Sequence, residues 1–197
     1  MDATELEPTS GSAPRSSLSA FTSRVMAVDV ACFRFLASLS VPKSVSLPLV
    51  VMVRIGDGYI WGVIALSLWL ALPFAEVKAI VAHCALAIAV SLCIYFPIKF
   101  GMKRPRPYDN GMDVTPLVPP LDKYSFPSGH TMNNLAVGLT LAYHLPRFAL
   151  PAMFFPVAMG LLRILFGVHY LSDILGGTLL GAVAFFIAKA VFPSFHL

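Results

Sequence analysis

Charged residues are scarce in this 197-residue sequence. Only 12% of the residues are Asp, Glu, Lys or Arg, whereas 57% are hydrophobic. A soluble globular domain is about a quarter charged, so this composition predicts an all-α, polytopic helical bundle embedded in a membrane. The net charge of +4 does not indicate a nucleic-acid partner, because the basic residues gather at the end of an apolar run rather than on a solvated patch. An anionic ligand or a lipid headgroup at the membrane surface is the expected partner, and nothing in the sequence indicates the oligomeric state.

Cysteines and clustered carboxylates are also few. The three cysteines, Cys32, Cys84 and Cys93, lie in apolar stretches without the spacing of metal ligands, which indicates small packing residues. The acidic residues do not gather in the way a two-metal site requires. We therefore expect neither a metal nor another cofactor.

The N-terminal quarter lacks a clear membrane span. Residues 1–23 are rich in Ser, Thr, Pro and Ala and predict a disordered tail, with a membrane-embedded domain over 24–197. The tail has no basic segment leading into an apolar run, so a cleavable signal peptide is not expected. For residues 24–55 we expect two amphipathic helices on the membrane surface, with a tilted span over 26–41 as the alternative.

Five apolar segments beyond residue 55 are predicted to cross the membrane, and a span over 26–41 would make six. These segments cover residues 59–74, 77–98, 130–144, 150–168 and 171–191. Their alternation brings three charged clusters to one membrane face and leaves Arg147 and Lys189 at the other. The positive-inside rule then favours an active site on the extracytoplasmic face.

A short stretch, Arg-Ile-Gly-Asp-Gly, precedes the first of these spans. We interpret it as a helix cap at the membrane interface, with Asp57 near the helix start. Contact of Asp57 or Arg54 with the active site is the alternative.

The first charged cluster follows the span over 77–98. Lys99 ends the apolar run, and Pro105 and Pro107 hold Arg106 in an extended segment. The proline-rich loop over 108–126, which carries Asp109, Asp113 and Asp122, is long for a connector, and we expect it to help cover the site.

The second cluster, Pro127-Ser-Gly-His130, opens a helix. Ser128 is a good N-cap residue, and Gly129 lets a ligand approach the backbone closely. Free amides at a helix start bind anions, and His130 on the first turn can reach the anion or its leaving group.

The third cluster runs from Arg163 to Asp173. The spacing of His169 and Asp173 predicts that both lie on one helix face, where the carboxylate orients the ring. Gly167 can break the helix so that Arg163 turns toward the same site. Three cations, a helix start, two histidines and a carboxylate together favour metal-free phosphoryl transfer through a histidine.

The sequence resembles the type 2 phosphatidic acid phosphatase family at three motifs. Lys99 is followed after six residues by Arg106-Pro107, then come Pro127-Ser128-Gly129-His130, and then Arg163, His169 and Asp173 at the family's spacing. One departure is Leu162, where the family usually has serine; a lost phosphate contact is expected to lower activity or alter preference. The stretch from Asp122 to His130 is also similar to polyisoprenoid and presqualene diphosphate phosphatases.

The resemblance implies a role for each matching residue. His169 attacks phosphorus and becomes a phosphohistidine, Asp173 orients it, and His130 protonates the leaving group. The phosphoryl oxygens are held by Lys99, Arg106, Ser128, Gly129 and Arg163.

The expected function is therefore a metal-independent integral membrane phosphatase. Its substrate would be a lipid phosphomonoester or diphosphate of the isoprenyl diphosphate, phosphatidic acid or phosphatidylglycerophosphate type. A phosphotransferase that passes the phosphoryl group to a lipid or sugar shares every one of these residues and remains open. A transporter is disfavoured because the charges gather at helix ends rather than along the depth of several helices.

Overall fold

A computed structural model describes residues 17–39, 42–112, 116, 118–120 and 122–192. Across these ranges the chain is helical, with no strand in the described part. The seven α-helices are α1 (Ser17–Ala37), α2 (Lys43–Ile55), α3 (Tyr59–Ala71), α4 (Phe74–Met102), α5 (Gly129–His144), α6 (Ala149–Leu165) and α7 (Leu171–Val191). Two short 3-10 turns, Tyr108–Asn110 and Pro146–Phe148, lie in the connections.

Helix α5 is the centre of the bundle and packs against α4, α6 and α7. Small residues let the backbones approach closely, as is usual between membrane helices. A Cβ added at Gly177 would lie 2.7 Å from the Ser128 carbonyl oxygen, and one at Gly181 would lie 2.5 Å from that of Met132. The start of α5 is thereby held against α7, where two of the three motifs meet.

The prediction of five membrane spans is not confirmed. Three segments of the described chain are long and apolar enough to cross a membrane, namely Phe74–Met102, Pro146–Leu165 and Leu171–Val191. A fourth segment of the described chain meets the same criterion if Ser44–Ile55 and Tyr59–Ala71, which meet at a 65° bend, count as one broken span. Helix α5 has 16 residues and is about 24 Å long, less than the hydrocarbon core of about 30 Å.

The N-terminal region forms two helices, but the first is longer than expected. Helix α1 already begins at Ser17, so part of the predicted tail is helical, and residues 1–16 lie outside the described residues. Helix α1 packs on α6 and α7 through the buried Phe33, which contacts Ile164 and Ile174. Helix α2 packs Val53 against Phe166.

Candidate active site

His169 and Asp173 meet, but not on one helix face, so that prediction is wrong. Helix α6 ends at Leu165, Gly167 adopts φ +77°, and α7 begins only at Leu171. His169 therefore lies in the connection, and Asp173 lies in the first turn of α7. The two side chains contact across the helix start, with 3.4 Å between His169 Nδ1 and Asp173 Oδ2.

The Asp173 carboxylate is held from both sides. Its Oδ2 accepts a hydrogen bond from the Tyr170 backbone N–H at 2.8 Å, which caps α7. Its Oδ1 accepts one from Arg104 Nη1 at 2.7 Å. Arg104 also contacts Asp29 Oδ2 at 2.6 Å and lies over the Tyr170 ring. A carboxylate fixed in this way can hold the His169 ring in one orientation.

The pKa of His169 is lowered to about 4. Complete burial is the main cause, and the charges of Arg106 and Lys99 act in the same direction, against the opposing effect of Asp173. The imidazole is therefore neutral at physiological pH. A neutral ring with one nitrogen directed at a carboxylate keeps a lone pair on the other nitrogen.

Arg106 and Lys99 are buried side by side. Arg106 Nη1 donates to the Val168 carbonyl at 2.7 Å and lies 3.5 Å from His169 Nε2. Lys99 Nζ donates to the Pro127 carbonyl at 3.3 Å. Each side chain is only 2% exposed, so both cations face the interior of the site.

One carboxylate, Asp122, pairs with both of these cations. Its Oδ1 lies 2.7 Å from Arg106 Nη2 and 2.9 Å from Lys99 Nζ, and its Oδ2 accepts a hydrogen bond from Tyr95 at 2.6 Å. Burial raises the pKa of the Asp122 carboxyl, but these hydrogen bonds and charges outweigh it and keep the pKa below the usual value. The loop expected to cover the site thus places an ionised carboxylate within it; Asp113 lies outside the described residues.

Ser128 and Gly129 start α5 next to these groups. The Ser128 hydroxyl caps the helix by accepting a hydrogen bond from the Thr131 backbone N–H. The backbone N–H of Ser128 donates to the backbone carbonyl of Asp173 at 3.1 Å. The Tyr95 ring occupies the space beside Gly129, 2.9 Å from where a Cβ would be. Both residues therefore lock α5 against α4 and α7 at the site.

Arg163 and His130 meet at Asp57. Arg163 Nη2 and His130 Nε2 both donate to Asp57 Oδ1, at 2.9 Å and 2.5 Å. The interpretation of Asp57 as a cap at the membrane interface is therefore wrong, since its carboxylate lies in the site. Burial raises the pKa of Asp57, but hydrogen bonds and charges from His130 and Arg163 hold it below the usual value.

A cavity of about 430 Å³ opens between α3, α4 and α5. Its polar end is lined by Asp57, Lys99, Asp122 and His130, and its other walls are largely apolar, including Trp61 and Phe96. Arg106 and Arg163 lie beyond this lining and contact it through Asp122 and Asp57, and His169 lies next to Arg106. An amphiphile with an anionic head and an apolar tail matches this distribution of groups.

Leu162, the departure from the family pattern, belongs to the apolar packing of α2 and α6. It contacts the cluster of Val53, Val118 and Phe166. No hydroxyl is present there to bind a phosphate. In the described ranges no group of three or more His, Cys, Asp or Glu side chains could hold a metal ion.

Sequence reasoning missed three residues that contact the site. Arg104 stands between motif residues without belonging to a motif, Tyr95 lies in an apolar predicted span, and Asp29 lies in the segment predicted to form amphipathic helices. A lone carboxylate in an apolar stretch, as at Asp29, was the one available signal.

Comparison with known proteins agrees with the motifs. Residues 80–196 match the PAP2 superfamily. The chain is 37% identical over 103 residues to phosphatidylglycerophosphatase B of Bacillus subtilis. The matched segment covers 47% of this chain and 48% of that protein. It therefore spans about half the length of that relative. It is 35% identical over 133 residues to decaprenylphosphoryl-5-phosphoribose phosphatase of Mycobacterium tuberculosis, covering 66% and 71% of the two proteins.

Two crystal structures share the fold. LpxE of Aquifex aeolicus matches with a TM-score of 0.69 at 24% identity, over 82% of this chain and 94% of LpxE. A PAP2-type phosphatidylglycerolphosphate phosphatase of B. subtilis matches with a TM-score of 0.63 at 24% identity, over 89% and 88%. With motifs, sequence and fold in agreement, the chain belongs to the PAP2 superfamily.

Proposed function

We propose that this protein is a membrane lipid phosphatase that works through a phosphohistidine. The observation that carries the proposal is the environment of His169, a buried neutral imidazole with Nδ1 at 3.4 Å from Asp173 and Nε2 at 3.5 Å from Arg106. A nucleophilic imidazole needs an unprotonated nitrogen next to a cation that binds the group under attack. With the ring proton on Nδ1, toward Asp173, Nε2 of His169 is unprotonated and lies next to Arg106.

In the first step, Nε2 of His169 attacks phosphorus. The bond between phosphorus and the leaving oxygen breaks, and the protonated His130 gives its proton to that oxygen. In the second step, a water oxygen attacks phosphorus, His130 accepts a proton from the water, and the phosphorus–nitrogen bond breaks with its electron pair returning to His169. Proton transfer of this kind contributes about 10²–10⁴ in rate.

Three cations serve the phosphoryl oxygens in this mechanism. Lys99 and Arg106 point at the His169 side of the site, and Arg163 has a buried Nε that lacks a hydrogen-bond partner in the described chain. A buried donor without a partner is costly, and a phosphoryl oxygen would satisfy it. We assign Ser128 and Gly129 to the support of this arrangement at the start of α5.

The substrate class follows from the cavity and the relatives. A largely apolar wall beside the polar end suits a lipid tail, and the relatives' names specify lipid-linked phosphates. We propose a phosphomonoester or diphosphate of an isoprenoid or glycerolipid. We also place the site on the extracytoplasmic face, since Arg147 and Lys189 lie at the opposite end of the bundle.

The test is phosphate release by purified protein in detergent. The panel holds phosphatidic acid, phosphatidylglycerophosphate and an isoprenyl diphosphate, each with and without a chelator. We expect chelator-insensitive release from at least one lipid. His169→Ala should reduce it on the order of 10⁴-fold or more while the protein remains folded, and wild-type-like activity in that folded variant would refute the assignment. Release that requires a supplied acceptor would instead indicate a phosphotransferase.

A further inference from the structure

We propose that Asp57 and His130 form a second histidine–carboxylate pair, in which Asp57 is a positioning residue for proton transfer by His130. The inference rests on the proposed function, because it concerns the proton that His130 delivers to the leaving group. It gives a role to a residue outside the three family motifs.

Asp57 is held at a sharp bend of the chain. Helices α2 and α3 meet there at 65°, and Gly58 adopts φ +126°, a conformation that favours glycine. The bend is tied to α5 because Asn134 Nδ2 donates to the Gly56 carbonyl at 3.2 Å. Trp61 Nε1 in turn donates to Asn134 Oδ1 at 2.6 Å. The carboxylate therefore has a fixed place relative to the helix that carries His130.

The two nitrogens of His130 have different surroundings. Nε2 donates to Asp57 Oδ1, whereas Nδ1 makes no hydrogen bond to any described residue. Nδ1 is not among the buried polar atoms that lack a partner, and the ring lines the 430 Å³ cavity. Nδ1 is thus the nitrogen that a bound substrate can reach.

This arrangement assigns the tautomer. With the Nε2 proton directed at a carboxylate, the neutral ring presents a lone pair at Nδ1, which suits a base acting on water. The protonated ring presents an N–H at Nδ1, which suits an acid acting on the leaving oxygen. One nitrogen performs both proton transfers, while the other is held by Asp57.

Burial is the main cause that lowers the pKa of His130 to about 4, the charge of Arg163 acts in the same direction, and Asp57 opposes both. A carboxylate partner is therefore needed for this ring to carry the proton that it delivers. Arg163 shares the same Asp57 oxygen, Lys99 lines the same cavity, and Arg54 contacts Asp57 Oδ2 at 3.4 Å. Nearby cations disfavour a protonated imidazole. Asp57 is the carboxylate in direct contact with the ring, whereas Asp122, which lines the same cavity, pairs with Lys99, and His169 is neutral.

Asp57 does not need to leave when a phosphate binds. Asp57 accepts a hydrogen bond from Nη2 of Arg163. The buried Nε of the same guanidinium has no hydrogen-bond partner in the described chain. A phosphoryl oxygen can therefore bind Arg163 while Asp57 keeps its contact with His130.

The experiment compares two leaving groups in Asp57→Asn. The value of kcat/KM is measured on phosphatidic acid, whose alkoxide must be protonated as it leaves, and on 4-nitrophenyl phosphate, whose phenolate leaves without help. We expect a loss of roughly 10- to 100-fold on phosphatidic acid, part of what general acid catalysis contributes, and less than about 3-fold on the aryl ester. In Asp57→Asn, the alkaline limb of the pH dependence of kcat/KM on phosphatidic acid should move to lower pH.

Asp109→Asn is the matched control, because it makes the same chemical change at an exposed carboxylate that has no contact with Asp57 or His130. We expect no change in kcat/KM on either substrate and no change in the pH profile for this control. An equal loss on both substrates in Asp57→Asn, with an unchanged pH profile, would show that Asp57 only holds the fold. A higher kcat/KM with tighter inhibition by orthovanadate would show that Asp57 competes with phosphate for Arg163. Either outcome overturns the proposal.

Two further measurements separate this proposal from the proposed function. His130→Asn must lose activity on phosphatidic acid; if it does not, the role of His130 in the proposed function fails first. If His130→Asn is impaired and Asp57→Asn is not, only the pairing fails. Nitrogen NMR of histidine-labelled wild-type protein tests the pairing without any change at Asp57. We expect the proton of neutral His130 on Nε2, and a proton on Nδ1 instead would contradict the pairing.

Discussion

Each buried or half-buried cation of the candidate site contacts a carboxylate. Arg104 contacts Asp29 and Asp173, Lys99 and Arg106 share Asp122, and Arg163 contacts Asp57. Buried charges are tolerated in proteins when they are paired. The pairs therefore explain how a bundle with few charges keeps so many of them at one end.

At this scale Asp122 offers a direct test of the phosphate site. Asp122→Asn leaves Lys99 and Arg106 without their carboxylate, so an anion should bind more favourably. We expect orthovanadate to inhibit about 10-fold more tightly, which corresponds to about 1.4 kcal/mol. Asp109→Asn, an exposed acid of the same loop region, is the control. Weaker inhibition would show that Asp122 orders the cations for the ligand instead of competing with it.

The pKa of His169 predicts how stability depends on pH. Because the folded value is about 4 and the unfolded value is about 6.5, only the unfolded chain takes up this proton as the pH falls from 6.5 toward 4. Acidification therefore favours unfolding, by roughly 2 kcal/mol from this residue at about pH 5. Thermal melting in detergent should show a smaller loss on acidification in His169→Ala than in the wild type. Identical losses would contradict the lowered pKa.

At the scale of elements, α1 supports the site from outside the matched family region. Asp29 of α1 accepts hydrogen bonds from Arg104 and from the Ser172 backbone N–H at 2.8 Å. Arg104 contacts Asp173, so α1 is linked to the proposed nucleophile through two side chains.

We therefore expect Asp29→Asn to lower kcat roughly tenfold, equivalent to about 1.4 kcal/mol, with little change in KM. Phosphate release is measured at saturating and limiting lipid. Arg34→Gln on the same helix is exposed and serves as the control. An unchanged kcat in a folded Asp29→Asn variant would show that Asp29 stabilises the fold and does not act on the proposed nucleophile.

The elements also show where sequence reasoning succeeded and where it failed. From the motif spacings we predict that five residues lie at one end of the bundle, and the structure places them there: Lys99, Arg106, His130, Arg163 and His169. This placement is predictable because the alternation of helices and the breaks at prolines are local properties of the sequence. The carboxylate partners depend on the path of loops and bends, which no short pattern encodes. The five predicted spans are not confirmed, because apolar content predicts burial in protein and in lipid equally well, and α5 is largely buried among other helices.

At the scale of the whole molecule, the two ends of the bundle differ. The proposed site lies where α4 ends and α5 begins, and the turn between α5 and α6 carries the exposed Arg147 at the other end. We expect a cysteine at position 109, in a variant with the three native cysteines replaced by alanine, to react with a membrane-impermeant maleimide on intact cells. The same change at position 147 should react only after permeabilisation. The reverse pattern would place the site in the cytoplasm.

The pairing of charges also bears on how quickly a substrate is captured. Five cations (Lys99, Arg104, Arg106, Arg163 and the more exposed Arg54) stand against four carboxylates (Asp29, Asp57, Asp122, Asp173) in the ion pairs of the described residues. A site whose charges nearly balance exerts little long-range attraction on a phosphate, in contrast to a cleft lined by one sign of charge. Diffusion within the bilayer would then deliver the lipid, and the association rate would depend only weakly on ionic strength.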